Sequence, residues 1–267
     1  MAGKVTTTTL RTLKSRGERA VFLTAYDYPT AVFADRAGAD LLLIGDSAAN
    51  TMLGLRSTVE IGMTEMLVFA RAVARGAQRA FVIGDLPFLS YQPSDEVAIL
   101  NAGAFIQVGC DAVKCEGGQR VAQRVRAMSD AGIAVMGHLG LTPQNLAQLG
   151  GYRVQGKGET EAQMLLREAK QLEQAGAGMI VLEAIPAALA REVTAALTIP
   201  TIGIGAGVDC SGQVLVLHDM LDVYPGKKAK FVKNFMRPGG SIQGAVELYV
   251  KEVKSKAFPG PEHSFSA

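Results

Sequence analysis

Tryptophan is absent from this sequence of 267 residues, and cysteine occurs only three times. The odd number of cysteines and the absence of a C-x-x-C pair argue against a disulfide framework or a thiol redox motif. No apolar run reaches the roughly 18 residues of a membrane-spanning helix, and the N-terminal segment lacks the apolar core of a signal peptide. We therefore expect a cytoplasmic protein with no membrane partner.

An excess of charge of one sign is also missing, because 27 lysines and arginines are balanced by 25 aspartates and glutamates. The densest basic stretch, residues 227–233, is typical of a solvated helix start. Binding to nucleic acid usually requires a stronger basic face than this, so we expect no nucleic-acid partner. The hydrophobic content of 48% excludes a disordered or fibrous chain.

Short apolar runs rich in β-branched residues recur along the chain, as is typical of buried parallel strands. They cover residues 20–25, 41–45, 80–84, 112–115, 133–137, 179–182, 201–205 and 214–217. Helical spacing of apolar residues lies between them, at 63–75, 95–108, 120–131, 161–175 and 187–197. About eight strand–helix units predict a (β/α)₈ TIM barrel, an α/β fold, with a doubly wound open sheet as the alternative from the pattern alone.

Turn and cap signals support this division of the chain. Ser94 and Thr160 are predicted N-caps, and glycines that follow helical stretches are predicted C-caps, namely Gly38, Gly76, Gly109, Gly132 and Gly176. Residues 139–158 form a predicted loop of the kind that covers barrel active sites, and residues 228–255 are predicted to hold two final helices. Since no linker is evident, we expect one barrel domain over residues 1–267, with a short N-terminal arm.

Acidic residues follow three consecutive predicted strands, as Asp46, Asp85 and Glu116. The carboxyl ends of barrel strands converge on one face, so these side chains are expected to lie close together. Carboxylates in a small volume repel one another unless a cation is present, and oxygen ligands favour Mg²⁺. A single one of these acids is more often a helix cap or a surface ion pair, but the set predicts a magnesium site.

Three further residues occupy the same predicted strand ends. Lys114 has the parity of Glu116 on one strand, so it could pair with an anionic substrate or form a structural ion pair. Glu183 could act as a general base, a further metal ligand or one partner of a structural pair. His138 could line the pocket or be a satisfied structural histidine.

Ordered motifs at these positions resemble the ketopantoate hydroxymethyltransferase family from about Thr7 to Phe265. They include Thr24-Ala-Tyr-Asp-Tyr28, Gly45-Asp-Ser47, Gly84-Asp-Leu-Pro-Phe88, Val113-Lys-Cys-Glu-Gly-Gly118, Gly137-His-Leu-Gly-Leu-Thr-Pro-Gln144, Gly150-Gly-Tyr-Arg-Val-Gln-Gly156 and Val181-Leu-Glu183. The resemblance implies a barrel of the phosphoenolpyruvate/pyruvate type. It also implies transfer of a hydroxymethyl group from 5,10-methylenetetrahydrofolate to the 2-oxo acid 3-methyl-2-oxobutanoate. The products would be 2-dehydropantoate and tetrahydrofolate, in the first committed step of pantothenate biosynthesis.

The resemblance also implies roles for individual residues. Asp46, Asp85 and Glu116 match the family's Mg²⁺-linked acids, and the two aspartates also belong to its substrate site. Ser47 matches a substrate contact, Lys114 the lysine that binds the substrate carboxylate, and Glu183 the proton acceptor of a mechanism through a Mg²⁺-stabilised enolate. The family further implies a homo-oligomer, commonly a decamer.

The segment from Ala48 to Gly62 departs from the family pattern, because Ala48-Ala49-Asn50-Thr51, Leu55-Arg56-Ser57-Thr58 and Glu60-Ile61-Gly62 replace the usual residues. These departures keep two other hypotheses open. One is a Mg²⁺-dependent lyase or aldolase of the same superfamily that acts on another 2-oxo acid. The other is a non-catalytic barrel that binds a metabolite.

Overall fold

Eight parallel strands close into a barrel in the order in which they occur along the chain. The structure is a computed structural model that describes residues 3–266. The strands are β1 (Ala20–Thr24), β2 (Leu41–Ile44), β3 (Phe81–Asp85), β4 (Ala112–Glu116), β5 (Val135–Gly140), β6 (Met179–Glu183), β7 (Thr201–Ile204) and β8 (Gly212–Leu215). Pairing of Ala20 with Gly212 brings β8 back to β1 and leaves the sheet without an edge. The predicted TIM barrel is confirmed, and the open sheet is excluded.

Helices surround this barrel and connect its strands. They are α1 (Thr7–Ser15), α2 (Tyr28–Ala37), α3 (Ala48–Thr51), α4 (Met63–Gly76), α5 (Asp95–Gln107), α6 (Ala122–Asp130), α7 (Leu146–Leu149), α8 (Glu159–Gln174), α9 (Ala187–Ala196), α10 (Leu217–Met220), α11 (Met236–Gly239) and α12 (Ile242–Lys254). Short 3₁₀ turns lie at Thr58–Glu60, Gln119–Val121, Pro143–Asn145 and Pro261–His263. Within residues 3–266, no helix is both long and apolar enough to cross a membrane.

Alternation along the strands separates two apolar layers. Side chains such as Phe22, Leu41 and Met136 fill the barrel interior, whereas neighbours such as Leu23 and Leu42 pack outward against the helices. The same alternation turns Asp85, Glu116, His138 and Glu183, at or near the ends of β3, β4, β5 and β6, toward the axis. The polar residues at that end therefore converge because of strand parity.

The expected N-terminal arm is a helix that contributes to the inner core. Val5 and Leu10 join the apolar cluster inside the barrel, so α1 covers the amino-terminal end of the strands. Lys14 Nζ donates to the carbonyl oxygens of Thr194, Leu197 and Ile199 at 2.7–2.8 Å. These bonds attach α1 to the end of α9, where the helix leaves its last carbonyls without partners.

The predicted strands agree with the structure to within a few residues, but the fifth is displaced. Residues 133–137 were predicted, whereas β5 runs from Val135 to Gly140 because His138, Leu139 and Gly140 pair with β6. The predicted loop therefore begins after residue 140. Residues 205–211 join β7 to β8 without a helix, so the seventh strand–helix unit of the prediction lacks its helix.

Several local predictions were wrong. Gly158 caps α8 in place of Thr160, and Gly76 belongs to α4, where an added Cβ would lie 2.7 Å from the Tyr28 carbonyl oxygen of α2. Gly76 is therefore needed for close helix packing. The basic stretch 227–233 is not a helix start, and the final helices are the four-residue α11 and the longer α12. Ser94 caps α5 as predicted, through a 3.1 Å bond from the Val97 N–H.

Candidate active site

Six of the predicted site residues lie together at the carboxyl end of the barrel. Asp46 follows β2, Asp85 ends β3, Lys114 and Glu116 lie on β4, His138 lies on β5 and Glu183 ends β6. The first five are buried, and the Glu183 side chain keeps 15% of its surface exposed. The predicted convergence of Asp46, Asp85 and Glu116 thus takes the form of one buried polar cluster.

Asp46 and Asp85 are neighbouring carboxylates. The Asp46 backbone N–H donates to Asp85 Oδ2 at 3.0 Å. Burial, followed by the charges of Asp85 and Glu116, raises the pKa of Asp46 well above its ordinary value. Burial also raises the pKa of Asp85, although Lys114 opposes the shift. Both shifts mark a place where negative charge is concentrated without enough compensation.

Lys114 is the buried cation of the cluster. Its Nζ lies 2.8 Å from Asp85 Oδ1, 3.2 Å from Glu116 Oε1 and 3.4 Å from His138 Nδ1. Burial lowers the pKa of Lys114, but the charges of Asp85, Glu116 and Asp46 together raise it well above its ordinary value. The lysine therefore stays charged and holds the acids of β3 and β4 together.

His138 lies between two carboxylates. Its Nδ1 is 3.2 Å from Glu116 Oε1, and its Nε2 is 3.2 Å from Glu183 Oε2. Burial and Lys114 lower its pKa, but the charge of Glu116 and the contacts with both glutamates raise it to about 9. The pKa of Glu116 falls to about 2, because Lys114 and His138 outweigh the effect of burial. The imidazole of His138 thus connects Glu183 to the cluster of Asp46, Asp85, Lys114 and Glu116.

Ser47 occupies the rim of this cluster. Its Oγ lies 2.8 Å from the hydroxyl of the buried Tyr26, and either oxygen could donate. The segment Ala48–Gly62, which differs from the family pattern, follows Ser47. It forms α3 and the 3₁₀ turn Thr58–Glu60, for which Ser57 is the N-cap. The departures from the family pattern therefore lie beside Ser47, and none of them replaces a residue of the acidic cluster.

Sequence reasoning assigned no role to two buried residues that connect the cluster. Gln144 Nε2 donates to Asp46 Oδ2 at 3.0 Å, and the Tyr91 hydroxyl donates to Gln144 Oε1 at 2.8 Å. The Gln144 backbone N–H donates to Glu116 Oε2 at 3.0 Å. Gln144 closes the motif at residues 137–144, but its contact with Asp46 spans 98 positions along the chain. Only that motif could have drawn attention to it.

The donor set fits Mg²⁺ at Asp46 and Asp85. Asp85 Oδ1 is buried, and its contact with the described residues is the ion pair with Lys114 Nζ at 2.8 Å. Paired carboxylates with raised pKa values are the oxygen donors that a hard cation stabilises. Both Glu116 oxygens already contact protein donors, so a direct bond from Glu116 to the ion would break one of these contacts. Within residues 3–266, no three His, Cys, Asp or Glu side chains already form a metal-binding group.

Comparison with known sequences identifies close relatives along nearly the whole chain. The sequence profile of a family described as Ketopantoate hydroxymethyltransferase matches residues 4–261. The chain is 51% identical to 3-methyl-2-oxobutanoate hydroxymethyltransferase of Syntrophus aciditrophicus, over 98% of this chain and 97% of that protein. It is 54% identical to the protein of the same name from Syntrophobacter fumaroxidans, over 95% and 90% of the two chains.

Solved structures with low sequence identity share the fold. Phosphonopyruvate hydrolase in complex with oxalate and Mg²⁺ superposes with a TM-score of 0.63 at 14% identity, covering 96% of this chain and 92% of that one. 2,3-Dimethylmalate lyase, a member of the PEP mutase/isocitrate lyase superfamily, gives 0.59 at 17% identity, covering 95% and 89%. These likenesses agree with the closed (β/α)₈ barrel fold of this chain.

Proposed function

The chain belongs to the ketopantoate hydroxymethyltransferase family, and we propose that it transfers a hydroxymethyl group from 5,10-methylenetetrahydrofolate to 3-methyl-2-oxobutanoate. The products are 2-dehydropantoate and tetrahydrofolate, and one water molecule supplies the hydroxyl oxygen. This reaction is the first committed step of pantothenate biosynthesis. The observation that supports it most directly is the buried cluster of Asp46, Asp85, Lys114 and Glu116, which reaches Glu183 through His138.

Asp46 and Asp85 are the residues that would hold Mg²⁺, with Glu116 as the third metal-linked acid. The bound ion supplies positive charge that favours the enolate form of the 2-oxo acid. Lys114 would pair with the substrate carboxylate, because its charged Nζ lies at the same strand ends as Asp85 and Glu116. Ser47, together with the two aspartates, provides further substrate contacts from the rim.

Glu183 is the proposed base that removes the proton from C3 of the substrate. C3, which has lost this proton, then forms the new bond to the one-carbon unit. The bond between that unit and the folate nitrogen breaks. His138 would orient the Glu183 carboxylate by charge, because its Nε2 lies 3.2 Å from Glu183 Oε2 in an ion pair and its other nitrogen faces Glu116. The part of the side chain that remains exposed gives the base access to substrate.

A transfer assay tests the activity. Purified protein with 3-methyl-2-oxobutanoate, 5,10-methylenetetrahydrofolate and Mg²⁺ should yield 2-dehydropantoate, and removal of Mg²⁺ by a chelator should abolish the yield. Folded protein that makes no product would contradict the proposal. Folate-independent cleavage of a 2-oxo acid would instead indicate a lyase.

The role of Glu183 has its own test, because proton exchange at C3 needs no folate. We expect Mg²⁺-dependent exchange that is lost in Glu183→Gln, measured by solvent deuterium incorporation into 3-methyl-2-oxobutanoate. Glu192→Gln is a control on the outer helix α9. Exchange at the full rate in Glu183→Gln would move the base elsewhere, with His138 as the first alternative.

The remaining parts of the proposal concern the state of the protein in the cell. We propose that residues 1–267 act as one barrel domain in a cytoplasmic homo-oligomer, and that the oligomer is a decamer. Its partners are small molecules, the 2-oxo acid and the folate. Sedimentation velocity of the purified protein tests the assembly, since a monomeric species at micromolar concentration would contradict it.

A further inference from the structure

We infer that Gln144 is a positioning residue that orients the Asp46 carboxylate for Mg²⁺ and ties the loop after β5 to the metal site. The inference rests on the proposed function in one respect, the use of Asp46 and Asp85 as Mg²⁺ ligands. It concerns a residue that lies outside the acidic cluster and carries no charge.

The side-chain amide of Gln144 is fully engaged. Its Nε2 donates to Asp46 Oδ2 at 3.0 Å and to the Leu86 carbonyl oxygen at 2.9 Å. Its Oε1 accepts from the Tyr91 hydroxyl at 2.8 Å and from Gln92 Nε2 at 3.4 Å. A buried amide with partners for both of its ends is locked in place, because any rotation would leave polar groups unpaired.

The neighbours of Gln144 allow only one orientation of this amide. The Glu116 backbone N–H donates to the Tyr91 hydroxyl at 3.1 Å, so that oxygen uses its own hydrogen toward an acceptor. Gln144 Oε1 is that acceptor at 2.8 Å, closer than the Glu116 carbonyl oxygen at 3.2 Å. On the other side of the amide, the Leu86 carbonyl oxygen can only accept, so the amide nitrogen must face Leu86 and Asp46. A chain of donors thus runs from β4 through Tyr91 to the aspartate.

The contact with Gln144 gives the two carboxylate oxygens of Asp46 different roles. Oδ2 is held by the amide, which leaves Oδ1 as the oxygen available to a cation. A metal ligand fixed in this way does not have to be reoriented when the ion binds, and partners of this kind contribute strongly to metal affinity. Gln144 therefore acts on the ion through Asp46 and not by contact.

The backbone of the same residue holds a second acid. The Gln144 N–H donates to Glu116 Oε2 at 3.0 Å, in the 3₁₀ turn Pro143–Asn145 that opens the loop. The loop continues through α7 to the exposed Arg153 and Lys157. Because one residue contacts Asp46, which follows β2, and Glu116, which ends β4, the start of the loop is attached to the metal site. Binding of Mg²⁺ and the position of this loop are then linked, and linkage acts in both directions.

The test measures Mg²⁺ binding itself. Gln144→Met keeps a side chain of similar length and the backbone N–H, but removes both donations of the amide. Titration calorimetry with Mg²⁺ alone should show an affinity about 10- to 100-fold below that of the wild type, the usual loss for such partners. Gln148→Met is the matched control in the same loop, since Gln148 bonds only the exposed Arg120 and should leave the affinity unchanged.

Two further readouts separate positioning from a structural role. If Gln144 acts only through the affinity for Mg²⁺, high Mg²⁺ should restore most of the kcat of Gln144→Met. In wild-type protein Mg²⁺ should slow tryptic cleavage after Arg153 and Lys157, and at equal subsaturating Mg²⁺ this protection should be weaker in the variant. If Gln144→Met does not fold, Tyr91→Phe provides the second variant, with a smaller loss of affinity in the same direction.

Mg²⁺ affinity of folded Gln144→Met within twofold of the wild type would overturn the inference. So would an equal loss in the Gln148→Met control. Wild-type protein that binds Mg²⁺ normally but makes no 2-dehydropantoate would contradict the proposed function alone, because the calorimetry uses neither substrate. Wild-type protein that binds no Mg²⁺ would overturn both.

Discussion

Replacement of Lys114 by methionine tests the electrostatics of the site. Lys114 has only 4% of its side-chain surface exposed and lies 2.8 Å from Asp85 Oδ1 and 3.2 Å from Glu116 Oε1. Methionine fills a similar volume but removes the positive charge. Lys114→Met therefore leaves Asp46, Asp85 and Glu116 buried together, with His138 as the remaining cationic neighbour.

The expected loss of stability is large for a single residue. Removing one partner of a buried ion pair typically costs about 3–5 kcal/mol, because the other charge is left uncompensated. For a chain of this size each kcal/mol lowers the Tm by about 2–4 °C, so the expected decrease is about 6–20 °C near neutral pH. A part-exposed pair gives a much smaller effect, about 0–1 kcal/mol. Lys233→Met, which breaks the part-exposed pair with Glu252 at 2.6 Å, is the matched control.

The loss of stability in Lys114→Met should be larger at higher pH. The pKa values of Asp46 and Asp85 are already raised by burial, and without Lys114 they rise further. A carboxyl whose pKa is raised by folding contributes stability below its pKa in the unfolded chain, about 4. That stability is lost as the pH rises through the pKa of the folded state. The opposite contribution of Glu116, whose pKa of about 2 depends on Lys114, also becomes smaller in the variant. The difference between wild type and variant should therefore be larger at pH 7.5 than at pH 5.

Thermal unfolding followed by circular dichroism at both pH values, with and without Mg²⁺, measures these effects. Mg²⁺ should raise the Tm of Lys114→Met more than that of Lys233→Met, since the ion replaces part of the missing charge. The reasoning fails if the two variants lose equal stability, or if the deficit of Lys114→Met is independent of both pH and Mg²⁺.

Three further predictions follow from other contacts. Gly84→Ala should destabilise the protein by about 1–3 kcal/mol in urea unfolding, because the added Cβ would lie 2.2 Å from the Phe105 ring. Gly103→Ala, where an added Cβ meets open space on a helix, should instead stabilise the protein by about 0.5–1 kcal/mol. Lys14→Met should cost about 1.5–3 kcal/mol through its lost bonds to α9 and leave kcat unchanged; an unchanged urea midpoint would contradict this. Tyr152 is a mostly exposed ring in the loop after β5, and burial, followed by the charge of Glu183, raises its pKa. Tyr152→Ala should raise the KM for the folate without slowing folate-free proton exchange, and equal losses in both assays would refute a folate contact.

The strands were predictable because apolar β-branched runs are buried on both faces in a parallel barrel. The end of β5 was not, since His138 and Gly140 become strand only by pairing with Glu116 and Glu183 on the neighbouring strands. Gly76 likewise looked like a helix end, but its role depends on the carbonyl oxygen of Tyr28 in another helix. Local patterns carry no information about such partners.

The acidic cluster was predictable for a related reason. Residues at the carboxyl ends of barrel strands converge, so Asp46, Asp85 and Glu116 could be grouped before their distances were known. The connection through Gln144 and Tyr91 could not, because it depends on how two loops fold over those ends. Lys114 and His138 were identified as polar residues of the site, but their mutual contacts and charges required the structure.

By itself, the amino-acid sequence determined the barrel, the side of it that carries the chemistry and the residue types gathered there, because strand periodicity and strand ends are local properties. The tertiary structure alone decided that the buried charges at the carboxyl end of the barrel form one connected network from Asp46 to Glu183. It also decided that a neutral amide, Gln144, selects which oxygen of Asp46 stays available. The physical reason is that pKa shifts and buried hydrogen bonds depend on distances across the barrel, which no spacing along one chain specifies.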